Sequence, residues 1–178
     1  ERGLLSEEPD YQKAMEYYEK AVSMDNADGY ARAALYLANG YSGVTDAGKS
    51  KAYYEKAAEL GSCFAMVELA FLYENGEVVE QSYEKAFDLL QKAAGQEYPY
   101  AMYRVGLYLD RGVIGEPRSE EAFAWYAKAA ERGDGDAIFA LGRCYKNGIG
   151  TEENPDKALE WFTKGAENNE PRCLTEMG

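Results

Sequence analysis

The side chains able to do chemistry in this chain are few. There is no histidine, and the cysteines are Cys63, Cys144 and Cys173. Without an imidazole, neither a Ser-His-Asp nor a Cys-His arrangement can activate a nucleophile, and zinc sites that need histidine are excluded. The three thiols stand 81 and 29 residues apart with no CxxC among them, too few for a four-thiolate metal site. A reactive thiolate needs positive charge nearby, and little of it flanks these residues. They read as small, half-buried hydrophobes in a reducing compartment, which favours a cytoplasmic setting for this segment. No catalytic residue, metal ligand or cofactor is assigned, and the chain does not read as an enzyme.

The other recurrent charged group is a ladder. Lys20, Lys56, Lys92, Lys128 and Lys164 stand at intervals of 36, each followed by Ala or Gly. Gly40, Gly76, Gly112 and Gly148 keep the same count, as do Ala65, Ala101, Ala137 and Cys173. Self-similarity at such a period marks one small unit copied along the chain. Placed near a helix end, each lysine is favoured by the helix dipole, with Glu16, Asp88 and Glu160 four residues earlier as pairing partners. Neighbouring copies of stacked helices lie roughly 10 Å apart, close to a Debye length, so the lysines barely reinforce one another as a docking stripe.

Composition narrows the partners. With 46% hydrophobic and 13% aromatic residues the chain can build a core, and its net charge of -13 repels phosphate backbones and anionic lipid. Nucleic acid is excluded as a partner. No run approaches the ~18 apolar residues of a membrane span, and residues 1–9 lack the basic-then-apolar layout of a secretory signal. A parent protein could still carry such a signal upstream.

Each unit holds two helices. Helix A starts near 27, 63, 99, 135 and 171. In the second of these, apolar residues at 65, 66, 69, 70 and 73 form one stripe of 3.6 period. The glycine ladder suits the left-handed residue that ends this helix. Helix B covers 13–24, 49–60, 85–95, 121–132 and 157–168. Its large pairs are Tyr17-Tyr18, Tyr53-Tyr54, Leu89-Leu90, Trp125-Tyr126 and Trp161-Phe162, and they follow Ala14, Ser50, Ala86, Ala122 and Ala158. Small and large side chains at fixed offsets predict interlocking helices. Pro117 and Pro155 fall in the loops before helix B, where a missing backbone donor costs least.

Three phrases carry a family resemblance: Lys56-Ala57-Ala58-Glu59-Leu60-Gly61, Trp125-Tyr126-Ala127-Lys128-Ala129-Ala130-Glu131-Arg132-Gly133 and Leu141-Gly142-Arg143-Cys144-Tyr145-Lys146-Asn147-Gly148-Ile149-Gly150. They resemble the Sel1-like repeat, whose relative the tetratricopeptide repeat has a period of ~34 where this chain keeps 36. The resemblance covers the whole chain as one domain, 1–178. It comprises a partial repeat 1–26, full repeats 27–62, 63–98, 99–134 and 135–170, and the start of a further one at 171–178. It implies an all-α fold, an α/α right-handed superhelix (solenoid) of antiparallel helix pairs, with the A helices lining the concave side. It also implies a scaffold or adaptor role. Departures include Ala33-Ala34 for the usual Leu-Gly step, Leu89-Leu90 for Trp-Tyr, and Gly95-Gln96 after the alanines of the third copy. A cysteine-rich, secreted bacterial branch ties the two helices of each repeat by a disulfide, and some members are linked to penicillin binding and β-lactam hydrolysis. Its paired cysteines are missing here.

If the function is binding, the face of helix A turned from its own core stripe is the surface expected to bind. It collects Arg32, Leu35 and Asn39; Phe64, Glu68, Phe71 and Asn75; Tyr100, Arg104, Leu107 and Arg111; and Asp136, Ala140, Arg143 and Asn147. Aromatic and Arg anchors with amide side chains suit a groove for a peptide or protein partner. Asn39, Asn75 and Asn147 have a second reading, since each precedes a terminal glycine and could satisfy helix-end carbonyls. The alternative function is a structural or self-associating spacer array with no groove ligand. The raw ends, the remnant Glu1-Arg2-Gly3 and the short final helix, suggest a fragment of a longer repeat protein that could associate through its termini.

Overall fold

The computed structural model describes residues 10–41, 43, 45–76 and 78–177. Among them are ten helices and no strand: α1(Tyr11–Ser23), α2(Ala27–Asn39), α3(Ala47–Glu59), α4(Cys63–Asn75), α5(Tyr83–Gly95), α6(Pro99–Arg111), α7(Ser119–Glu131), α8(Gly135–Asn147), α9(Pro155–Glu167) and α10(Pro171–Met177). The remnant at residues 1–3, the rest of 1–9, and Gly178 lie outside the described residues. The chain forms two compact units, residues 1–69 and 70–178. In the first, α1 packs on α2 and α2 on α3; in the second, each helix from α5 to α10 packs on the next. No helix among the described residues is long and apolar enough to cross a membrane.

Helix A begins where the periodicity puts it. Helix B begins two residues earlier, because its start is set by a cap rather than by the apolar stripe. Asp10, Asp46, Ser82 and Asn154, again 36 or 72 residues apart, accept from the backbone N–H three residues on, at 2.9, 2.8, 3.2 and 3.0 Å. Each satisfies a donor that the first turn leaves orphaned. Arg118 holds the fifth position without a side-chain cap. Pro155 is the first residue of α9 rather than a loop residue. The A helices close on left-handed glycines. At Gly112 (φ 63) a Cβ would stand 2.7 Å from the Gly115 carbonyl oxygen and 2.9 Å from Pro117 Cδ, so both conformation and space demand glycine.

Three lysines of the ladder lie against aromatic rings, while Lys56 pairs with Asp25 and Glu59. Lys20, Lys128 and Lys164 stand over the rings of Tyr17, Trp125 and Trp161, at 5.3, 4.9 and 4.5 Å from the ring centre. These rings lie three residues earlier in the same helix, and no ion pair joins Lys20, Lys92 or Lys164 to the carboxylate four residues before it. At Lys20 and Lys164, where both are in reach, the aromatic face beside the ammonium wins over a flexible, solvated carboxylate.

The interlock within the second unit is tightest where helix A carries glycine. Tyr126 of α7 and Phe162 of α9 are each 2% exposed. A Cβ on Gly106 would lie 2.7 Å from the Tyr126 ring, and one on Gly142 would lie 2.5 Å from the Phe162 ring. The rings also tilt against Tyr103 and Phe139, at 5.9 and 6.2 Å. Ala122 and Ala158, almost fully buried, let the paired helices approach. In the first unit Ser50 does so while its hydroxyl donates to the Ala34 carbonyl at 2.8 Å. One copy earlier than Gly106 the chain reads Ala70, and the residue twenty positions on is Leu90 instead of an aromatic.

Gly142→Ala is therefore expected to destabilise the protein by about 1–2 kcal/mol in urea unfolding, the overpacking outweighing the gain in helix propensity. Adding Phe162→Leu, which copies the Ala70 and Leu90 combination, should recover about 1 kcal/mol relative to the sum of the single changes. Strict additivity would show that glycine and ring are not in contact.

Candidate partner-binding face

In the second unit the A helices meet side by side, and equivalent residues 30 positions apart face each other across each step. At the first step these are Glu74 and Arg104. The Arg104 Nη2 donates to both Glu74 oxygens, at 2.5 and 2.7 Å, and the Tyr108 hydroxyl donates to the same carboxylate. The guanidinium lies 4.3 Å from the centre of the Phe71 ring and 5.9 Å from that of Tyr100. Arg104 is only 7% exposed, and its Nε is buried without an acceptor, a cost the ring contacts offset. Burial, and then its bond to Glu74, pushes the Tyr108 hydroxyl well above the usual tyrosine range.

The step from α8 to α10 is sealed the same way with the charges exchanged. Lys146 donates to Glu176 at 2.8 Å. Arg172 adds a second tie, to Asp136 at 2.5 Å, and is itself held by Glu170 at 2.7 Å. Arg172 in turn draws the Glu170 carboxyl below the usual carboxylate range.

The middle step is different. Its equivalent pair is Asp110 and Ala140, and both line one cavity. Among the described residues no ion pair joins α6 to α8. A groove of about 340 Å3 opens there, lined on one side by Tyr103, Leu107, Asp110 and Arg111 and on the other by Phe139, Ala140 and Arg143. Cys144 lies on its wall, 3% exposed, with burial and the nearby Asp110 pushing its thiol up to about 12. Held protonated, it is no nucleophile at neutral pH. Cys63 and Cys173 are raised by burial too, and none of the three thiols forms a disulfide among the described residues.

The expected face is only partly brought together. The groove gathers Leu107, Arg111, Asp136, Ala140 and Arg143. Phe71 and Tyr100 are half-buried against Arg104, which is committed to the bridge with Glu74 and offers little surface of its own. Asn75 is exposed at the end of α4. Asn39 and Asn147 donate to the carbonyls of Leu35 and Arg143, at 2.8 and 3.1 Å, so both act on their own helix ends. In the first unit Arg32 is exposed and paired with Asp28 at 3.5 Å, Leu35 is half-buried, and Phe64 meets the Tyr54 ring edge-on at 6.3 Å. Glu68 is half-buried, and burial raises its carboxyl above the usual range. Tyr103, Asp110, Phe139 and Arg172 line the groove without standing on the expected face. Reading the charges at positions 74, 110 and 146 against those at 104, 140 and 176 would have singled out the unbridged Asp110.

The sequence matches the Sel1 repeat family over residues 1–26, 27–62, 63–98, 99–134 and 135–170. No curated protein matches it in sequence. Among solved structures, a protective antigen of uropathogenic Escherichia coli displaying an SLR fold is 25% identical, with a TM-score of 0.86 over 92% of this chain and 35% of the antigen. A Sel1 repeat protein from Oxalobacter formigenes is 27% identical, with a TM-score of 0.84 over 92% of this chain and 66% of that protein. A putative Sel1 repeat protein from Klebsiella pneumoniae is 26% identical, with a TM-score of 0.61 over 94% of this chain and 83% of its own. The chain thus spans about a third of the first protein and just under two thirds of the second.

Because Arg104 and Glu74 are buried together, Arg104→Met leaves an uncompensated carboxylate and should cost about 3 kcal/mol in urea unfolding. Adding Glu74→Leu should return more than half of that. A loss below about 1 kcal/mol for the single change would mean that the bridge behaves as a surface pair.

Proposed function

The chain belongs to the Sel1 repeat family, whose members mediate protein–protein interactions and are typically non-enzymatic scaffolds, and we propose that this one binds a peptide segment of a protein partner on the outward face of its A helices. The observation that carries the reading is the step of the second unit that no ion pair closes among the described residues. Two A-helix contacts of the second unit are tied by ion pairs, while the one between α6 and α8 keeps a groove with aromatic walls and charged rims. Concave sites of this make-up, apolar with a few polar groups, are where extended or helical segments anchor. Phe71, Asn75 and Tyr100 are further contact surface of the same unit, with Arg104 holding the Phe71 and Tyr100 rings in place. In residues 1–69, Arg32, Phe64 and Glu68 offer a smaller patch of the same kind, while Asn39 serves its own helix end. A spacer role finds no comparable support, since it would leave the open step without a purpose.

The test uses a substitution copied from the chain's own neighbouring step. Ala140→Arg restores the partner that Asp110 lacks and fills the groove. A random phage-displayed peptide library selected on the native chain should yield binders that the Ala140→Arg variant loses, with unchanged helical circular dichroism. Binders that are indifferent to this change, or no binders at all, would refute the groove as the site.

A further inference from the structure

Three departures from the repeat converge on this one groove. Arg111 stands where the other copies have Asn39, Asn75 and Asn147; Arg143 stands where they have Leu35, Phe71 and Leu107; Ala140 stands where its neighbours carry Arg32, Glu68, Arg104 and Glu176. Repeat packing demands none of the three, since the other copies fold without them. Truncation at 140 opens the space, and the two arginines border it.

We infer that the groove selects a partner segment bearing an acidic side chain, whose carboxylate is held between Arg111 and Arg143. The inference rests on the reading of the groove as a peptide site. Both arginines are exposed, and neither makes an ion pair among the described residues, whereas Arg172, the third cation at the site, is committed to Asp136 and Glu170. The Phe139 ring, 6.0 Å from the Arg143 guanidinium and 4.8 Å from that of Arg172, gives Arg143 an aromatic surface to lie against. Asp110 is the opposing charge, and it acts on the buried Tyr126 and Cys144 behind the groove. Uncommitted charge at the rim is therefore two cations against one anion.

The chain's net charge of -13 does not prevent this. At physiological salt its remaining carboxylates are screened beyond ~8 Å, so a bound anion responds to the groove alone. Guanidinium groups also give a carboxylate directional hydrogen bonds that a diffuse field cannot. The ligand class is thus an acidic peptide with apolar residues beside the acid, to cover Leu107 and the rings of Tyr103 and Phe139.

The experiment reads the composition of the groove-dependent library peptides. It then follows the affinity of the strongest, synthesised with a neutral dye, by fluorescence anisotropy. The expected result is enrichment in Asp and Glu, affinity falling about ten-fold with Arg111→Gln or Arg143→Gln and with Glu→Gln in the peptide, and Asp110→Asn not weakening it. Neutral or basic groove-dependent peptides, or acidic ones indifferent to both arginine changes, would overturn the inference and leave the binding site standing. Absence of groove-dependent peptides would overturn both.

Discussion

The structure depends on a contact between a helix backbone and a ring. Gly106 and Gly142 bring α6 and α8 so close to Tyr126 and Phe162 that no Cβ fits between them. Such contacts allow one register and one spacing, because interiors packed to crystal density do not tolerate a shift of a methyl group. With register fixed, residues 36 apart become structurally equivalent. Residues 30 apart on neighbouring A helices then meet in the same way at each step of the second unit.

That equivalence separates scaffold from site. Side chains that serve packing recur along the chain: the capping residues before helix B, the small residues beneath the large pairs, and the glycines at helix ends. The outward face of helix A is released from this demand, and there the copies diverge. Glu74 with Arg104 and Lys146 with Glu176 show that either polarity of bridge is acceptable. Asp110 with Ala140 shows that a bridge is dispensable. A groove bordered by Arg111 and Arg143 occupies the vacated place. Two other copies spend their helix-end Asn39 and Asn147 on their own carbonyls, which separates helix-terminating residues from those free to meet a partner.

Most of the fold is legible in the sequence because its cause is periodic. A ruler of 36 locates every A-helix start and the glycine terminators. Helix B reads two residues late, since Asp10, Asp46, Ser82 and Asn154 look like ordinary loop residues until their cap bonds are seen. The site is less legible. Helical periodicity identifies a face but not which of its side chains are consumed by neighbours, so Arg104 reads as a ligand anchor when it is bound to Glu74. Asp110 and Arg172 escape a helix-by-helix reading for the converse reason: their roles depend on residues 30 and 36 positions away. Lys20 and Lys164 show the same limit, because for each a carboxylate at i−4 and an aromatic ring at i−3 are both within reach and only their relative solvation decides.

The central claim is that Asp110 and Ala140 share the geometry of Glu74 and Arg104 and differ only in what is missing. Equilibrium urea unfolding of the Ala140→Arg variant tests it most directly. A shared geometry predicts a gain of about 1 kcal/mol, with the gain lost again when Asp110→Asn is added. A destabilised variant, or a gain indifferent to Asp110, would contradict the claim.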